Sequence, residues 1–485
     1  MTSIASLTPT PLWSIFHQIT QIPRPSKHEE AVVCYIESLC REHNLSYERD
    51  NVGNLIIRKP ATPGMENRRG VVMQGHVDMV PQKNADSEHN FLTDPITTLI
   101  DGEWVTAKGT TLGADNGVGV AAALAVMIAN DIEHGPLEVL LTIDEEAGMT
   151  GAAGLEAGHF EGDILLNMDT EDEGELYVGC AGGVDVSAKI AMDWQHTCSD
   201  DIAFEVKVTG LRGGHSGLDI DQGRGNANKI INRFLLENVD NLGVKVASFN
   251  GGTLRNAIPR ESFTMLVVNQ HKEIEFKKAL NDFHQIIKNE YSSVEPNLSI
   301  EALKVDLPER VYTPESIKKV VYSVTACISG PARMSDEFKG VVETSNNLAI
   351  VKSDDNDVLI LSLVRSLVNS ARDDLANSIA ATFKVADAEV SISGEYPGWK
   401  PNPNSKILTL MKERYEALSG VVPKVKVIHA GLECGLLGNP YPHWDMISFG
   451  PTIRNAHSPD EKVHIQSVSK FWDYLVDTLK HIPTK

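Results

Sequence analysis

The sequence predicts an α/β domain, a mixed sheet flanked by helices, assembled from both chain ends with an α+β domain inserted between them. Three observations predict it. Short apolar runs alternate with helix-period segments over the first 180 residues, the pattern of a sheet with helices on its faces. Near residue 184 the texture changes to strands of alternating polarity, and after the turn-rich Gly394-Glu395-Tyr396-Pro397-Gly398-Trp399 the opening pattern returns. The chain is also too long, at 485 residues, for one ordinary core. The expected domains are 1–186 with 396–485, and 187–395.

In chain order, Leu12, Ile15, Phe16, Ile19 and Ile22 have a helical spacing that stops at Pro23-Arg24-Pro25. Ser26, with Glu29 three residues on, reads as a capping box opening a second amphipathic helix to about residue 43. Residues 54–57 and 70–74 read as strands. Gly113-Ala114-Asp115-Asn116-Gly117 opens an alanine-rich helix to about residue 130, and the buried strands 137–143 and 163–168 each run into carboxylates.

Inside the insertion, strands are expected at 202–208, 340–351, 357–365 and 388–393, with a hairpin or paired strands over 253–269. Helices are expected at 226–236, 271–291, 315–328 and 369–383. Parts 200–295 and 312–394 have similar strand and helix order. Each holds a hairpin introduced by Phe-x-Gly, Phe249-Asn250-Gly251 and Phe338-Lys339-Gly340, which fits an internally duplicated ferredoxin-like unit. A helix over 405–418, strands at 426–430 and 445–448 and a helix over 468–481 complete the α/β domain.

Composition excludes several function classes. Hydrophobic residues at 42% and charged residues at 23% suit a soluble globular protein. The net charge of −22 argues against nucleic-acid binding, which needs clustered Lys and Arg. An acidic surface instead helps to concentrate divalent cations. Cys34, Cys40, Cys180, Cys198, Cys327 and Cys434 lack C-x-x-C spacing, so reduced thiols in a cytoplasm are the simpler expectation. Residues 1–21 hold no basic segment followed by a long apolar core, so neither a signal peptide nor a membrane span is expected.

Gly75-His76-Val77-Asp78 ends an apolar run. Residues i and i+2 of an extended segment share a face, so Asp78 can bond the far nitrogen of His76 and orient it. Asp115 sits in a glycine-flanked turn before a helix. Glu145 and Glu146, after Asp144, repel one another unless a cation is near or one is protonated. Asp169 follows a strand, and His457 lies in the loop after the last one. Singly, these are also a satisfied strand-end histidine, a turn aspartate, a helix N-terminus, a solvated acid and a loop histidine. Jointly, two histidines and three carboxylates at strand ends of one sheet match the ligands zinc prefers. Two metals sharing one carboxylate need about this many, and two-metal sites serve hydrolysis.

His76-x-Asp78, Gly113-Ala114-Asp115-Asn116-Gly117, Glu145-Glu146-Ala147-Gly148, Asp169 and His457-Ser458-Pro459-Asp460 resemble the M20 family of di-zinc peptidases. In detail they are similar to its aminoacyl-histidine (Xaa-His) dipeptidase branch. The resemblance runs nearly end to end. It takes in Ile22-Pro23-Arg24-Pro25-Ser26, Arg58-Lys59-Pro60-Ala61-Thr62, the segment from Gly251 to Arg260, and His429-Ala430-Gly431-Leu432-Glu433-Cys434-Gly435. It implies a di-zinc exopeptidase catalytic domain with an inserted lid, two zinc ions per subunit with cobalt or manganese as substitutes, and a dipeptide substrate such as β-alanyl-histidine.

Residue by residue, the resemblance implies His76 and Asp169 on one zinc, Glu146 and His457 on the other, and Asp115 bridging. Glu145 is then the general base and Asp78 the partner of His76. Arg212-Gly213-Gly214-His215-Ser216-Gly217 matches as well, with His215 a candidate donor to the oxyanion. Asn256 and Arg365 resemble lid residues that hold substrate, Arg365 being suited to bidentate pairing with a C-terminal carboxylate. Gly431 and Glu433 are expected to shape the pocket. Closure is expected about the connections near 183–187 and 393–398, with Gly183 and Gly394 as hinge points. A tripeptidase, an N-acyl-amino-acid deacylase and a catalytically silent peptide- or metal-binding relative stay open at this point. So do monomer and homodimer, and whether His215 acts within its own subunit or across an interface.

Overall fold

A computed structural model describes residues 3–485. They form two compact units. The first comprises the chain up to Gly179, Pro401–Val427 and Leu432–Lys485; the second comprises Cys180–Lys400 and Ile428–Gly431. The expected breaks at 186/187 and 395/396 fall inside the strands Gly182–Ala191 and Glu389–Tyr396. Those strands pair within the second unit's sheet, and backbone hydrogen bonding carries its ends past the change in composition. Among the described residues no helix is long and apolar enough to cross a membrane.

The first unit is built on an eight-stranded sheet. Its order is Ser46–Arg49, Leu55–Lys59, Leu137–Thr142, Val71–His76, Ile164–Asn167, Asp445–Ser448, Glu175–Cys180 and Lys424–Ile428. Val71–His76 lies parallel to both Leu137–Thr142 and Ile164–Asn167. Every residue of Val71–His76 and Leu137–Thr142 is buried, as in a sheet covered on both faces. This is why they read as largely apolar runs, with Gln74 and Glu138 buried among them. The alanine-rich helix Ala114–Ile128 is buried almost all round. A Cβ at Gly75 would stand 2.2 Å from Asn116 Oδ1, so this contact between strand and helix requires glycine. Parallel strands deliver their ends to one side, where the candidate ligands follow.

The helix after Pro25 departs from expectation. It spans Glu30–Glu42, and its cap position, Glu29, makes no side-chain cap. Lys27 has φ of 72°, which breaks the helical path. Ser26 Oγ instead donates to Asp78 Oδ2 at 2.7 Å. Glu29 Oε1 accepts from the backbone N–H of Lys27 and of Asp144 at 2.8 and 3.0 Å. The apparent capping box therefore serves the site.

In the second unit the sheet order is Ser299–Val305, Asp201–Thr209, Ser262–Asn269, Lys245–Gly251, Val342–Ser353, Asp357–Ser366, Gly182–Ala191 and Glu389–Tyr396, with Gly330–Met334 pairing onto Val342–Ser353. Apart from short strands, two halves share one β-α-β-β-α-β order of elements. One runs from Asp201–Thr209 through the helices Ala227–Asn241 and Glu273–Glu290 to Ser299–Val305. The other starts earlier, at Gly182–Ala191, and resumes with Pro314–Ala326, Asn369–Lys384 and Glu389–Tyr396. One half is thus nested in the other, and they join edge to edge where Asn250 and Gly251 face Lys352 and Val351. The Phe-x-Gly tripeptides do not mark the repeat, since Phe249-Asn250-Gly251 ends a strand and Phe338-Lys339-Gly340 lies between strands. Phe204, Phe234, Phe276 and Phe283 pack within the core under the helices.

Gly183 is not a hinge point. It lies inside a strand with Arg365 on one side and Tyr396 on the other, and a Cβ there would stand 2.5 Å from Tyr396 Oη. Gly394, with φ of 65°, marks a register shift in the last strand of that sheet.

Candidate active site

His76 is the last residue of its strand, and Glu145 and Glu146 open a one-turn helix, Glu145–Gly148, after the neighbouring strand Leu137–Thr142. Asp169 lies two residues beyond Ile164–Asn167. Asp115 sits at the start of the long helix with non-helical backbone angles that turn its carboxylate out. The structure brings all of these together with His457. Asp115 Oδ1 is 3.2 Å from His76 Nε2, and Asp115 Oδ2 is 3.2 Å from His457 Nε2. Asp169 Oδ1 lies 3.3 Å from His76 Nε2, and Glu146 Oε2 lies 2.9 Å from His457 Nε2. Two groupings able to hold a metal ion result, His76-Asp115-Asp169 and Asp115-Glu146-His457, with Asp115 common to both. A third takes in Glu145 with His76 and Glu146.

Asp78 braces this arrangement. Its Oδ1 lies 3.2 Å from His76 Nδ1. Both carboxylate oxygens also accept the backbone N–H groups of Glu145 and Glu146, at 3.1 Å each. Burial would raise the Asp78 carboxyl, but His76 and the hydrogen bonds hold it down at about 2.

The electrostatics of the cluster call for positive charge. Burial, with Asp169, Glu433 and Glu146 nearby, pushes the Glu145 carboxyl well above its usual range. Burial and Asp115 bring Asp169 up to about 7 against the pull of His76. Hydrogen bonds to Asp115 and Glu146 push His457 up to about 11. Burial opposes charge on His76, yet Asp169, Asp115 and Asp78 together raise it well above the ordinary histidine value. Glu146 Oε1 is buried without a hydrogen-bond partner among the described residues. Orphaned carboxylate oxygens and imidazoles converging on two points fit a pair of divalent cations, which would relieve the same repulsion that protons relieve here.

Of the other predicted residues, His215, Asn256, Arg365 and Gly431 lie in the second unit. His215 and Asn256 are brought together by the short ladder pairing Gly214 with Ile258 and His215 with Ala257, and Ser216 N–H donates to the Asn256 carbonyl at 2.9 Å. His215 Nδ1 accepts the N–H groups of Gly217 and Leu218 at 3.1 and 3.0 Å. The ring proton therefore sits on Nε2. Burial and then Arg365 push the His215 imidazole down to about 4, so it is neutral at neutral pH.

Arg365, 4% exposed, donates from Nε to Ser216 Oγ at 3.3 Å and from Nη1 to Tyr396 Oη at 2.8 Å. Its Nη2 lies 3.5 Å from His215 Nε2. Two donors thus lie side by side, where one acceptor oxygen beside both could take a hydrogen bond from each. His429, in the same unit, is buried with Nε2 2.7 Å from Ser345 Oγ. Gly431 closes that four-residue segment.

Residues 72–481 match the family model for peptidase family M20/M25/M40. This chain is an M20-family peptidase. It is 48% identical over 485 residues, all of both chains, to a protein of Escherichia coli K12 named cytosol non-specific dipeptidase. The crystal structure of aminoacylhistidine dipeptidase from Vibrio alginolyticus superposes with a TM-score of 0.95 at 48% identity, over 100% of this chain and 99% of that one. Aminopeptidase PepT from Bacillus cereus shares the fold with a TM-score of 0.59 at 16% identity, covering 98% of this chain and 99% of that one.

In this M20 peptidase, Glu433 does not stand where a pocket-shaping residue was expected. It is fully buried in the first unit, with Oε2 accepting from Gln74 Nε2 at 2.5 Å and Thr142 Oγ1 at 2.8 Å. Burial raises its carboxyl to about 7, and it adds to the charge that raises Glu145 and Asp169. Gln74 in turn accepts from Asn167 Nδ2 at 2.5 Å, so the candidate ligands stand on a buried polar layer. Glu171 also joins the cluster, its carboxyl raised to about 8 by burial and by Asp115 and Asp169. Sequence reasoning missed it because an acid two residues past Asp169 looks like a solvated loop residue. Ser26, Arg24 and Glu461 were missed for a different reason, since their partners are distant in sequence.

Proposed function

We propose that the chain is a metal-dependent dipeptidase that holds two divalent cations, zinc by ligand chemistry, and hydrolyses dipeptides, Xaa-His dipeptides such as β-alanyl-histidine among them. The observation that carries this reading is Asp115 offering one oxygen to each of two histidine–carboxylate pairs, with the Glu145 carboxyl beside them. Family membership and full-length similarity to two proteins named dipeptidases support the substrate class.

On this reading His76 and Asp169 hold one ion, Glu146 and His457 the other, and Asp115 both. When bound, such ions supply Lewis acidity that acidifies water and polarises a peptide carbonyl. Glu145, whose carboxyl is raised by burial, takes a proton from the attacking water and returns it to the leaving amine. Asp78 orients His76 and fixes the turn that carries Glu145.

His215 donates its Nε2 proton to an oxygen of the substrate, and Arg365 meets the C-terminal carboxylate through the donors that Ser216 and Tyr396 leave available. Asn256, beside His215, is a further substrate contact. The cytosol in the Escherichia coli relative's name agrees with the cysteine spacing here.

The test is a set of initial rates on Xaa-His, Xaa-Leu, tripeptide and N-acetyl-amino-acid substrates. Dipeptides are expected to turn over far faster than tripeptides or N-acetyl compounds, and no preference for dipeptides would overturn the reading. The word non-specific in the Escherichia coli relative's name favours a wider range of C-terminal residues; comparable rates on Xaa-His and Xaa-Leu would establish that version.

A further inference from the structure

The peptide turn that carries Asp115 is gripped by two buried charges from distant parts of the chain. Glu461 is 2% exposed. Its Oε2 accepts the N–H groups of Leu112 and Gly113 at 2.7 and 2.9 Å, and its Oε1 accepts those of Ala114 and Asp115 at 2.7 and 3.3 Å. Four successive amides converging on one carboxylate make an anion-binding nest, and here the anion belongs to the protein. Gly113, with φ of 69°, supplies the left-handed step that turns those amides inward.

Arg24, 1% exposed, holds the turn through its carbonyl groups. Its Nη2 donates to the Gly113 carbonyl at 2.5 Å, and its Nη1 donates to the carbonyls of Val77 and Asp78 at 2.8 Å each. One guanidinium thereby ties the strand end bearing His76 and Asp78 to the turn bearing Asp115. A Cβ at Gly113 or Gly117 would stand 2.5 or 2.7 Å from Arg24 Nη2. Both glycines of Gly113-Ala114-Asp115-Asn116-Gly117 are therefore the space that Arg24 needs. Glu461 closes the other side, because it sits in the turn that follows His457, with its N–H on the Ser458 carbonyl at 2.9 Å.

We propose that Arg24 and Glu461 are a pair of positioning residues, a clamp of opposite charges that sets Asp115 midway between His76 and His457. Arg24 fixes its separation from the His76 strand, and Glu461 its separation from the His457 loop. Neither Arg24 nor Glu461 belongs to a grouping able to hold a metal ion, so each acts through Asp115. The inference rests on the reading of Asp115 as the carboxylate shared by two metals.

The test is calorimetric titration of the metal-free protein with zinc chloride, on the parent, Glu461→Gln, Glu461→Asp and Arg24→Lys, each first shown to be folded by its melting curve. Glutamine keeps the size of Glu461 but sets an N–H donor against backbone N–H donors. Parent protein is expected to bind two ions. Glu461→Gln is expected to bind both about tenfold or more weakly, the scale seen when groups supporting metal ligands are changed. Arg24→Lys should do likewise, while Glu461→Asp, which keeps the charge, recovers part of the loss. Activity should fall through kcat with KM nearly constant. Folded variants with parental zinc affinities and parental kcat would overturn the clamp, as would a lowered melting temperature with unchanged affinities. If Glu461→Gln does not fold, Arg24→Lys and Glu461→Asp decide by the same criteria. A parent that takes up no zinc would overturn the two-metal reading, and the clamp with it.

Discussion

Asp78 Oδ1 lies 3.2 Å from His76 Nδ1, on the side of the ring away from Asp115 and Asp169. The same carboxylate takes the backbone N–H of both Glu145 and Glu146 and the hydroxyl of Ser26. One side chain therefore orients His76 and anchors the turn that holds Glu145 and Glu146. From sequence alone Asp78 has only the first task, and its removal is expected to weaken metal binding more on the His76 side than on the His457 side.

The geometry predicts a broader loss for Asp78→Ala. Zinc affinity at both positions should fall by about tenfold to a hundredfold, read from a two-site binding isotherm. Weakening confined to one position would show that the amides of Glu145 and Glu146 hold their turn without Asp78.

Glu145→Gln separates chemistry from metal binding. The variant should retain the metal content of the parent and lose hydrolysis by about 10²- to 10⁴-fold, the contribution of a general base. Metal analysis beside dipeptide rates checks it. Parental rates would remove Glu145 from the role of base. Loss of metal would instead make it a ligand, as the grouping of His76, Glu145 and Glu146 allows.

His429 gives the second unit a pH dependence. Burial, then the Arg365 charge and His215, push its imidazole down to about 3, against about 6.5 in an unfolded chain. Below pH 6.5 the unfolded state takes up a proton that the native state refuses. Stability is thus full above that pH and declines as pH falls toward the native value, at up to ~1.4 kcal/mol per unit for one proton. Urea unfolding at pH 7, 6 and 5 should show the parent losing stability more steeply than His429→Asn. Equal slopes would mean that this histidine titrates alike in both states.

Much of the site is legible in the sequence because its ligands follow strands buried on both faces. Such strands are plain apolar runs, and their ends locate His76, Glu145, Glu146 and Asp169. Side chains whose partners lie far along the chain are not legible. Ser26 and Glu29 have the spacing of a capping box, and only the presence of Asp78 and Asp144 redirects them. Arg24 and Glu461 act on a turn 89 and more than 340 residues away, and no local pattern announces a buried charge that grips a backbone. Glu433 stands within a recognisable motif, yet its burial against Gln74 and Thr142 follows from tertiary packing. The nesting of one β-α-β-β-α-β half inside the other was hidden for a similar reason. Its first strand, Gly182–Ala191, comes before the half it encloses.

The most direct test of a two-metal dipeptidase is to strip the protein with chelator and titrate zinc back while following β-alanyl-histidine hydrolysis. The stripped protein should be inactive, and activity should rise to a plateau at two ions per chain. Full activity in the metal-free protein would contradict it.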